Sequence, residues 1–235
     1  MTDQELLMSH RKPSGTALTT EQLAALDYVP RSVLVAKRAM DIVVALVGLV
    51  LTAPLWPLVA LAIRLDSPGP VIYRQMRVGR ILGDRTELFM ILKFRSMRAD
   101  AEKATGAVWA QKHDPRITRV GAFIRKTRLD ELPQLINVLR GDMSVVGPRP
   151  ERPAMYRRLE QAVPFFADRT AGLRPGVTGL TQVVQGYDNS VEDVRRKVGF
   201  DAAYAMRLAT FRGWLLSDVM IMFRTVSVMV TGRGQ

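Results

Sequence analysis

From Ala39 to Ile63 the chain is almost wholly apolar, bounded by Lys37 and Arg38 on one side and Arg64 on the other. About 20 apolar residues suffice for a helix to cross a bilayer, so length alone makes this run a membrane candidate. Pro54 and Pro57 fall in its second half, where each removes a backbone donor and crowds the preceding turn, which predicts a kink. Basic residues stand on both flanks, Lys37 and Arg38 before the run and Arg64, Arg74, Arg77 and Arg80 after it. Both ends therefore satisfy the preference of basic residues for the cytoplasmic side, which predicts a re-entrant helix-break-helix over 31–66. A kinked spanning helix meets the same hydropathy, and a buried soluble helix meets it less well. Asp41 is expected to pair with Lys37 or Arg38 rather than enter lipid as a bare charge.

The pattern changes after the turn-rich Asp66-Ser67-Pro68-Gly69-Pro70. Short strands are expected at Val71–Gln75 and Leu88–Phe94, a helix at Asp100–Gln111, a turn at Asp114-Pro115-Arg116 and a basic helical stretch at Ile117–Arg128. Leu132, Leu135, Ile136 and Leu139 recur at helical spacing, with Pro133 tolerable in the first turn and Gly141 a natural stop. Asp142 to Val146 reads as a strand entering a proline-bracketed loop. Two helices close the chain, Val191–Leu208 and Arg212–Val230. In the second, Trp214, Leu215, Val219, Met222, Phe223 and Val226 form an apolar stripe that suits either a membrane interface or a core.

Charge narrows the partners. Lys and Arg number 34 against 22 Asp and Glu, a net charge of +12, so the surface should attract phosphates: nucleic acid, anionic lipid or nucleotides. With no cysteine and only His10 and His113, thiolate and histidine-rich metal sites are excluded, and any metal must be held by oxygen, as Mg²⁺ is. Met1–Pro30 carries Asp3, Glu5, Glu21 and Asp27 without the charged-then-apolar order of a signal peptide and reads as a polar cytoplasmic tail. Within it, Thr19-Thr20-Glu21-Gln22 could cap a short helix through Leu23–Leu26.

Alternation in Leu92-Lys93-Phe94-Arg95 puts Lys93 and Arg95 on one face. Arg119, Arg125, Lys126 and Arg128 then gather directly upstream of Asp130 and Glu131. One reading of that pair is structural, Asp130 as helix N-cap and Glu131 as a first-turn acid. The other is phosphoryl transfer, one carboxylate attacking phosphorus or holding Mg²⁺ while the other orients it or takes a proton, with cations neutralising the pyrophosphate. Arg149 sits between Pro148 and Pro150, which fix its backbone and suit it to clamp a phosphate. Arg174, in Arg174-Pro175-Gly176, is likewise available for an anion. No phosphate-binding glycine loop of the nucleotide-hydrolase kind occurs.

The ordered set Lys37-Arg38-x-x-Asp41, Leu92-Lys93-Phe94-Arg95-Ser96-Met97, Leu129-Asp130-Glu131-Leu132-Pro133-Gln134, Gly141-Asp142-Met143-Ser144, Gly147-Pro148-Arg149-Pro150 and Arg174-Pro175-Gly176 resembles the bacterial sugar transferase family. These are the monotopic phosphoglycosyl transferases that initiate exopolysaccharide, O-antigen and glycoprotein glycan assembly, and the likeness covers roughly Lys37 to Val230. The resemblance implies a membrane helix broken at Ala53-Pro54, where serine is frequent in place of Ala53. It implies Asp130 as the nucleophile of a phosphosugar-enzyme intermediate and Glu131 as the supporting acid, with Lys93, Arg125 and Arg149 around substrate phosphates. Mg²⁺, held at Asp130, is the implied cofactor, and a UDP-sugar donor and undecaprenyl phosphate acceptor are the implied partners. Val183-Val184-Gln185-Gly186-Tyr187-Asp188 stands where many members, including those handling acetamido sugars, show Asn-Gly-Arg-Asn, which inclines the donor towards UDP-glucose or UDP-galactose.

The expected fold class is α/β, a mostly helical cytosolic catalytic domain with short strands, 67–235, ending in interfacial helices and anchored on the cytoplasmic face of the bacterial inner membrane by 31–66. Membrane lipid is an expected partner and nucleic acid is not; a homo-oligomer stays open. The rival from another class is a non-catalytic, membrane-anchored basic scaffold that binds anionic lipid.

Overall fold

A computed structural model describes residues 28–82, 85–101, 114–164, 166–185 and 191–231. The N-terminal tail up to residue 27 and most of the expected helix at Asp100–Gln111 lie outside the described residues. What is described is mostly helical with short strands.

The apolar run forms two helices, α1 (Arg31–Thr52) and α2 (Leu55–Asp66), bent by 65° at Ala53-Pro54. Pro54 has no N–H to continue the ladder. Beside the break, the Thr52 hydroxyl donates to Gly48 O at 2.7 Å and accepts from the Trp56 indole at 3.3 Å. Among the described residues no single helix is long and apolar enough to cross a membrane, whereas the bent pair passes that test together. Its outward faces are apolar: Val50, Leu51 and Leu65 are 72%, 73% and 80% exposed. An apolar surface of that extent on two adjoining helices marks a lipid or partner contact.

The root of α1 carries Lys37, Arg38 and Asp41, and each of the three is spent on the domain. Lys37 Nζ donates to Val146 O at 2.9 Å and to Asp218 Oδ2 at 2.6 Å. The Arg38 guanidinium donates to Val138 O and Leu139 O at 2.6 and 2.8 Å. Asp41, 1% exposed, accepts from the Ser144 hydroxyl at 2.9 Å and from Val145 N at 2.8 Å. The expected pairing of Asp41 holds with Lys37 through charge alone, while the hydrogen bonds of Asp41 go to Ser144 and Val145 and those of Lys37 to Asp218 and Val146. Side chains on one helix turn compete poorly with backbone groups presented by a second element at the right depth.

After α2 the chain makes a hairpin, β1 (Ile72–Ile81) and β2 (Thr86–Phe94), antiparallel with Tyr73 opposite Lys93, Gln75 opposite Ile91 and Arg77 opposite Phe89. β1 runs well past the expected Val71–Gln75. Its polar Gln75 and Arg77 face the domain rather than ending the strand, because a cavity there receives them. Helix α3 (Arg119–Lys126) is capped by Thr118, whose hydroxyl accepts from Gly121 N at 3.0 Å. Asp66, at the end of α2, accepts from Val120 N at 2.9 Å. Val59 and Ile63 of α2, Phe94 and Ile124 form a small core there, with Trp56 edge-on to Phe94.

Helix α4 (Gln134–Arg140) ends at Gly141, whose φ of 89° is the left-handed C-cap that glycine adopts without strain. Strand β3 (Ser144–Val146) pairs in parallel with β4 (Gly176–Thr178). At this pairing Gly147 and Gly176 are so close that a Cβ on Gly176 would overlap the backbone of Gly147. Then follow α5 (Pro153–Ala162), α6 (Leu180–Val184), α7 (Val191–Arg207) and α8 (Phe211–Thr231). The main core joins Val33 and Ala45 of α1 to Ile91, Val138, Met143, Val146, Tyr204, Trp214 and Ile221. The stripe expected on the last helix is split. Trp214 and Ile221 pack inward with Asp218, whereas Leu215, Phe223 and Val226 are exposed.

Two buried ion pairs stand behind the cavity: Lys197 with Glu151 and Arg169 with Asp201, both at 2.7 Å. Burial would raise the Glu151 pKa, but Lys197, Arg169 and Arg77 outweigh it and hold the carboxyl below its usual 4.5. Because the folded pKa is depressed, this stabilisation is complete above the unfolded pKa and is lost as pH falls through the folded value. Glu151→Gln should therefore flatten the acid side of a plot of Tm against pH in detergent. Lys197→Met, which strands the carboxylate, should cost about 3–5 kcal/mol at neutral pH. An unchanged acid limb in Glu151→Gln would refute the assignment.

Candidate active site

The site is built on a strained turn. Arg128 follows α3 with φ of 59°, a left-handed conformation costing a non-glycine residue about 1–3 kcal/mol and found mostly where structure serves function. It swings the chain into a single 3₁₀ turn, Leu129–Glu131, before α4 begins. Leu129 and Leu132 anchor the turn in the small core of Phe94 and Ile124. Asp130 therefore does not cap a helix: no side-chain cap bond is made at this turn, and Asp130 Oδ1 is buried with no hydrogen-bond partner among the described residues.

The two carboxylates sit in opposite surroundings. Glu131 Oε1 lies 3.2 Å from Lys93 Nζ, 3.5 Å from an Arg149 terminal nitrogen and 3.8 Å from one of Arg128. Burial works against its ionisation, yet Lys93, Arg149 and Arg128 more than offset that and hold it far below the usual glutamate range. Asp130 is pushed up, to about 6, first by burial and then by the Glu131 charge. One carboxylate is thus neutralised by three cations, and its neighbour keeps uncommitted lone pairs.

Asp130 opens on a cavity of about 860 Å³, with Lys93, Arg125 and Arg149 also in its wall. The same wall carries Tyr73, Gln75 and Arg77 of β1, Arg98 and Arg116, and Glu151 and Arg152 after the Pro148-Arg149-Pro150 loop. Arg77 donates to Pro150 O at 3.1 Å and to Gln75 Oε1 at 2.7 Å. Burial, and then Arg149, push its pKa down to about 10. So dense a cluster of cations around one uncommitted carboxylate is a receptor for an anion of more than one charge. A hard metal ion fits the donors here only in part. No group of three acidic or histidine side chains gathers among the described residues, so Asp130 would need substrate phosphate oxygens and water to complete a shell, as Mg²⁺ accepts.

Of the residues singled out in the sequence, Lys93, Arg125, Asp130, Glu131 and Arg149 meet at this site. Arg174 does not: its Nε donates to Gly141 O at 2.9 Å, at the end of α4, and its charged neighbours are Arg80, Arg38, Asp41 and Glu87. Arg95 lines the cavity, but its guanidinium donates to Ser67 O at 2.7 Å and to Pro68 O, and so ties down the exit of α2. Arg77, Gln75 and Arg152 were missed as site residues. Extending the alternation of β1 from Tyr73, opposite Lys93, would have found the first two. The segment 186–190, which carries part of the argument on the donor sugar, lies outside the described residues.

Comparison with known proteins places the chain. A UDP-N-acetylgalactosamine-undecaprenyl-phosphate N-acetylgalactosaminephosphotransferase of Aeromonas hydrophila is 46% identical over 198 residues, 84% of this chain and 44% of that protein. A UDP-glucose:undecaprenyl-phosphate glucose-1-phosphate transferase of Caulobacter vibrioides is 43% identical over 197 residues, 83% of this chain and 70% of that protein. The exopolysaccharide production protein PSS of Rhizobium leguminosarum bv. phaseoli is 42% identical over 207 residues, 86% of this chain and 98% of that protein. The chain thus spans less than half of the Aeromonas protein and nearly all of the Rhizobium one. The sequence profile described as bacterial sugar transferase matches residues 32–232, and the chain belongs to that family.

Proposed function

We propose that this protein transfers a sugar 1-phosphate from a UDP-sugar to undecaprenyl phosphate and releases UMP, the first membrane step of exopolysaccharide, O-antigen or related glycan synthesis. The observation that carries the proposal is the pairing of a buried Asp130, whose Oδ1 makes no hydrogen bond among the described residues, with a Glu131 already neutralised, at the wall of a strongly basic cavity. Only the uncommitted carboxylate is available to a substrate.

A carboxylate oxygen of Asp130 attacks the β-phosphorus of the donor. The bond from that phosphorus to the bridging oxygen breaks, UMP leaves, and an aspartyl phosphosugar remains. A phosphate oxygen of the lipid then attacks the same phosphorus, frees Asp130 and forms the lipid diphosphate sugar. Lys93, Arg125 and Arg149 neutralise the pyrophosphate as charge moves to the leaving UMP, the main demand of phosphoryl transfer. Glu131 holds Lys93 and Arg149 at the site through its ion pairs. Asp130, with oxygens supplied by the substrate, would hold Mg²⁺, which would supply further charge neutralisation.

The bent arms of 31–66 enter the bilayer and return to the cytoplasmic face, with 67–235 seated there. Basic flanks on both sides of the run and the 65° break support that topology. The exposed Phe223 and Val226 of α8 give a second lipid contact that brings the lipid phosphate to the cavity. The donor is a UDP-hexose. Relatives named for N-acetylgalactosamine and for glucose stand at 46% and 43% identity, so overall likeness does not choose between them.

Two outcomes test this reading. Purified protein in detergent, given Mg²⁺, undecaprenyl phosphate and a panel of UDP-glucose, UDP-galactose and UDP-N-acetylgalactosamine, should release UMP, and Asp130→Asn should lower turnover by about 10³-fold or more. Normal turnover in Asp130→Asn would end the nucleophile assignment, and no release from any donor would favour a lipid-binding scaffold. Lys93→Met should cost about 10²–10³-fold in kcat, the scale of removing one charge-stabilising donor. With acceptor omitted, mass spectrometry should find the phosphosugar on the peptide holding Asp130 in wild type and not in Asp130→Asn.

A further inference from the structure

Asn137 is fully buried in α4, yet its side chain is spent entirely on polar partners. Its Oδ1 accepts from Leu92 N at 3.0 Å, and its Nδ2 donates to Met90 O at 2.9 Å and to Asp142 Oδ2 at 3.0 Å. Its own carbonyl accepts from Asp142 N at 3.0 Å. The edge of β2 away from β1 thus meets a side-chain amide where another strand would stand. Of the common side chains, a short amide offers a donor and an acceptor in that geometry; aspartate lacks the donor and leucine lacks both.

The contact is specific to a register. Successive residues of a strand face opposite sides, so a shift of one residue along β2 would turn Lys93 away from Glu131. Asn137 grips the backbone at Met90 and Leu92, directly before Lys93, and one short helix connects it to the turn of Glu131. A packing role alone would be served more cheaply by an apolar side chain, since burying an amide gains little once its desolvation is counted.

We infer that Asn137 is a positioning residue for the transferase reaction, fixing β2 against α4 so that Lys93 meets Glu131. This rests on the function proposed above. The test is a double-mutant cycle on UMP release between Asn137→Ala and Lys93→Met. Asn137→Ala should lower kcat by about 10²-fold, the scale of an ångström-level misplacement, with the donor KM within about twofold. If Asn137 acts through Lys93, the double variant should be no worse than Lys93→Met alone, rather than showing the product of the two losses.

Multiplying losses, or a normal kcat in Asn137→Ala, would overturn the inference. A parallel loss of kcat and rise of KM would point to general loosening of the fold and overturn it too. Should Asn137→Ala not accumulate as folded protein, Asn137→Ser, whose hydroxyl can still hydrogen-bond at this edge without setting a second carboxylate against Asp142, carries the same cycle. Absence of UMP release from wild type would instead refute the reaction itself, so the two failures are distinguishable.

Discussion

Everything in this structure is referenced to the charges at the root of the apolar helix, Asp41 buried and Lys37 and Arg38 half-buried. An apolar helix has no intrinsic reason to sit at one angle or depth against a basic domain. Lys37, Arg38 and Asp41 supply that reason, because desolvated charges are tolerable only where their partners are in place. Those partners are mostly backbone groups: Val146 O for Lys37, Val138 O and Leu139 O for Arg38, and Val145 N for Asp41. A slide of α1 would strand all of them at once. Val146 is also where the Gly147–Pro150 loop begins, and Val138 and Leu139 lie at the end of the helix that follows Asp130 and Glu131. The arm read as membrane-seated and the carboxylates therefore belong to one frame.

Within that frame the chemistry comes from asymmetry between neighbours. Asp130 and Glu131 share one 3₁₀ turn, and their unperturbed acidities are close. Three cations converge on a single oxygen of Glu131, which fixes its charge, whereas at Asp130 burial and the Glu131 charge outweigh the pull of Lys93, Arg125 and Arg128. The positive φ of Arg128 makes the difference, since it sets the turn so that one side chain enters the cation cluster and the other enters the cavity.

That φ also marks where the sequence stopped being legible. Apolar spacing over Leu132–Leu139 with Gly141 as stop gave the helix its correct end, because C-caps are local. Its start was misplaced, since nothing in Arg128-Leu129-Asp130 announces a left-handed residue followed by a 3₁₀ turn. Alternation put Lys93 and Arg95 on one face, and both line the cavity although Arg95 lies just past the end of β2, but pattern cannot say which carbonyls a guanidinium will meet. The exit of α2 claims Arg95, and Gly141 claims Arg174. Both are long-range meetings that propensity does not encode. Arg77 was visible in the sequence but was read only as a topology signal, because a polar residue in a short strand looks like the strand's end until a cavity is known to lie beside it.

The same cavity bears on the acids buried in and near its wall. Cations in close array repel one another, and the lowered pKa of Arg77, through burial and Arg149, shows that cost at one position. Glu151 lies in the wall itself and Asp201 just beyond it, each locked to a buried cation, Lys197 or Arg169. A buried ion pair gains little stability over apolar packing, so stability alone is a weak reason to keep two of them here. Glu151 in addition feels the Arg77 charge, so it offsets part of the repulsion within the wall. Glu131 does the same work at the front, occupying Lys93 and Arg149 while leaving Asp130 uncommitted. An arginine wall compensated only from behind would hold phosphate without reacting, and one compensated only at the front would strain against itself.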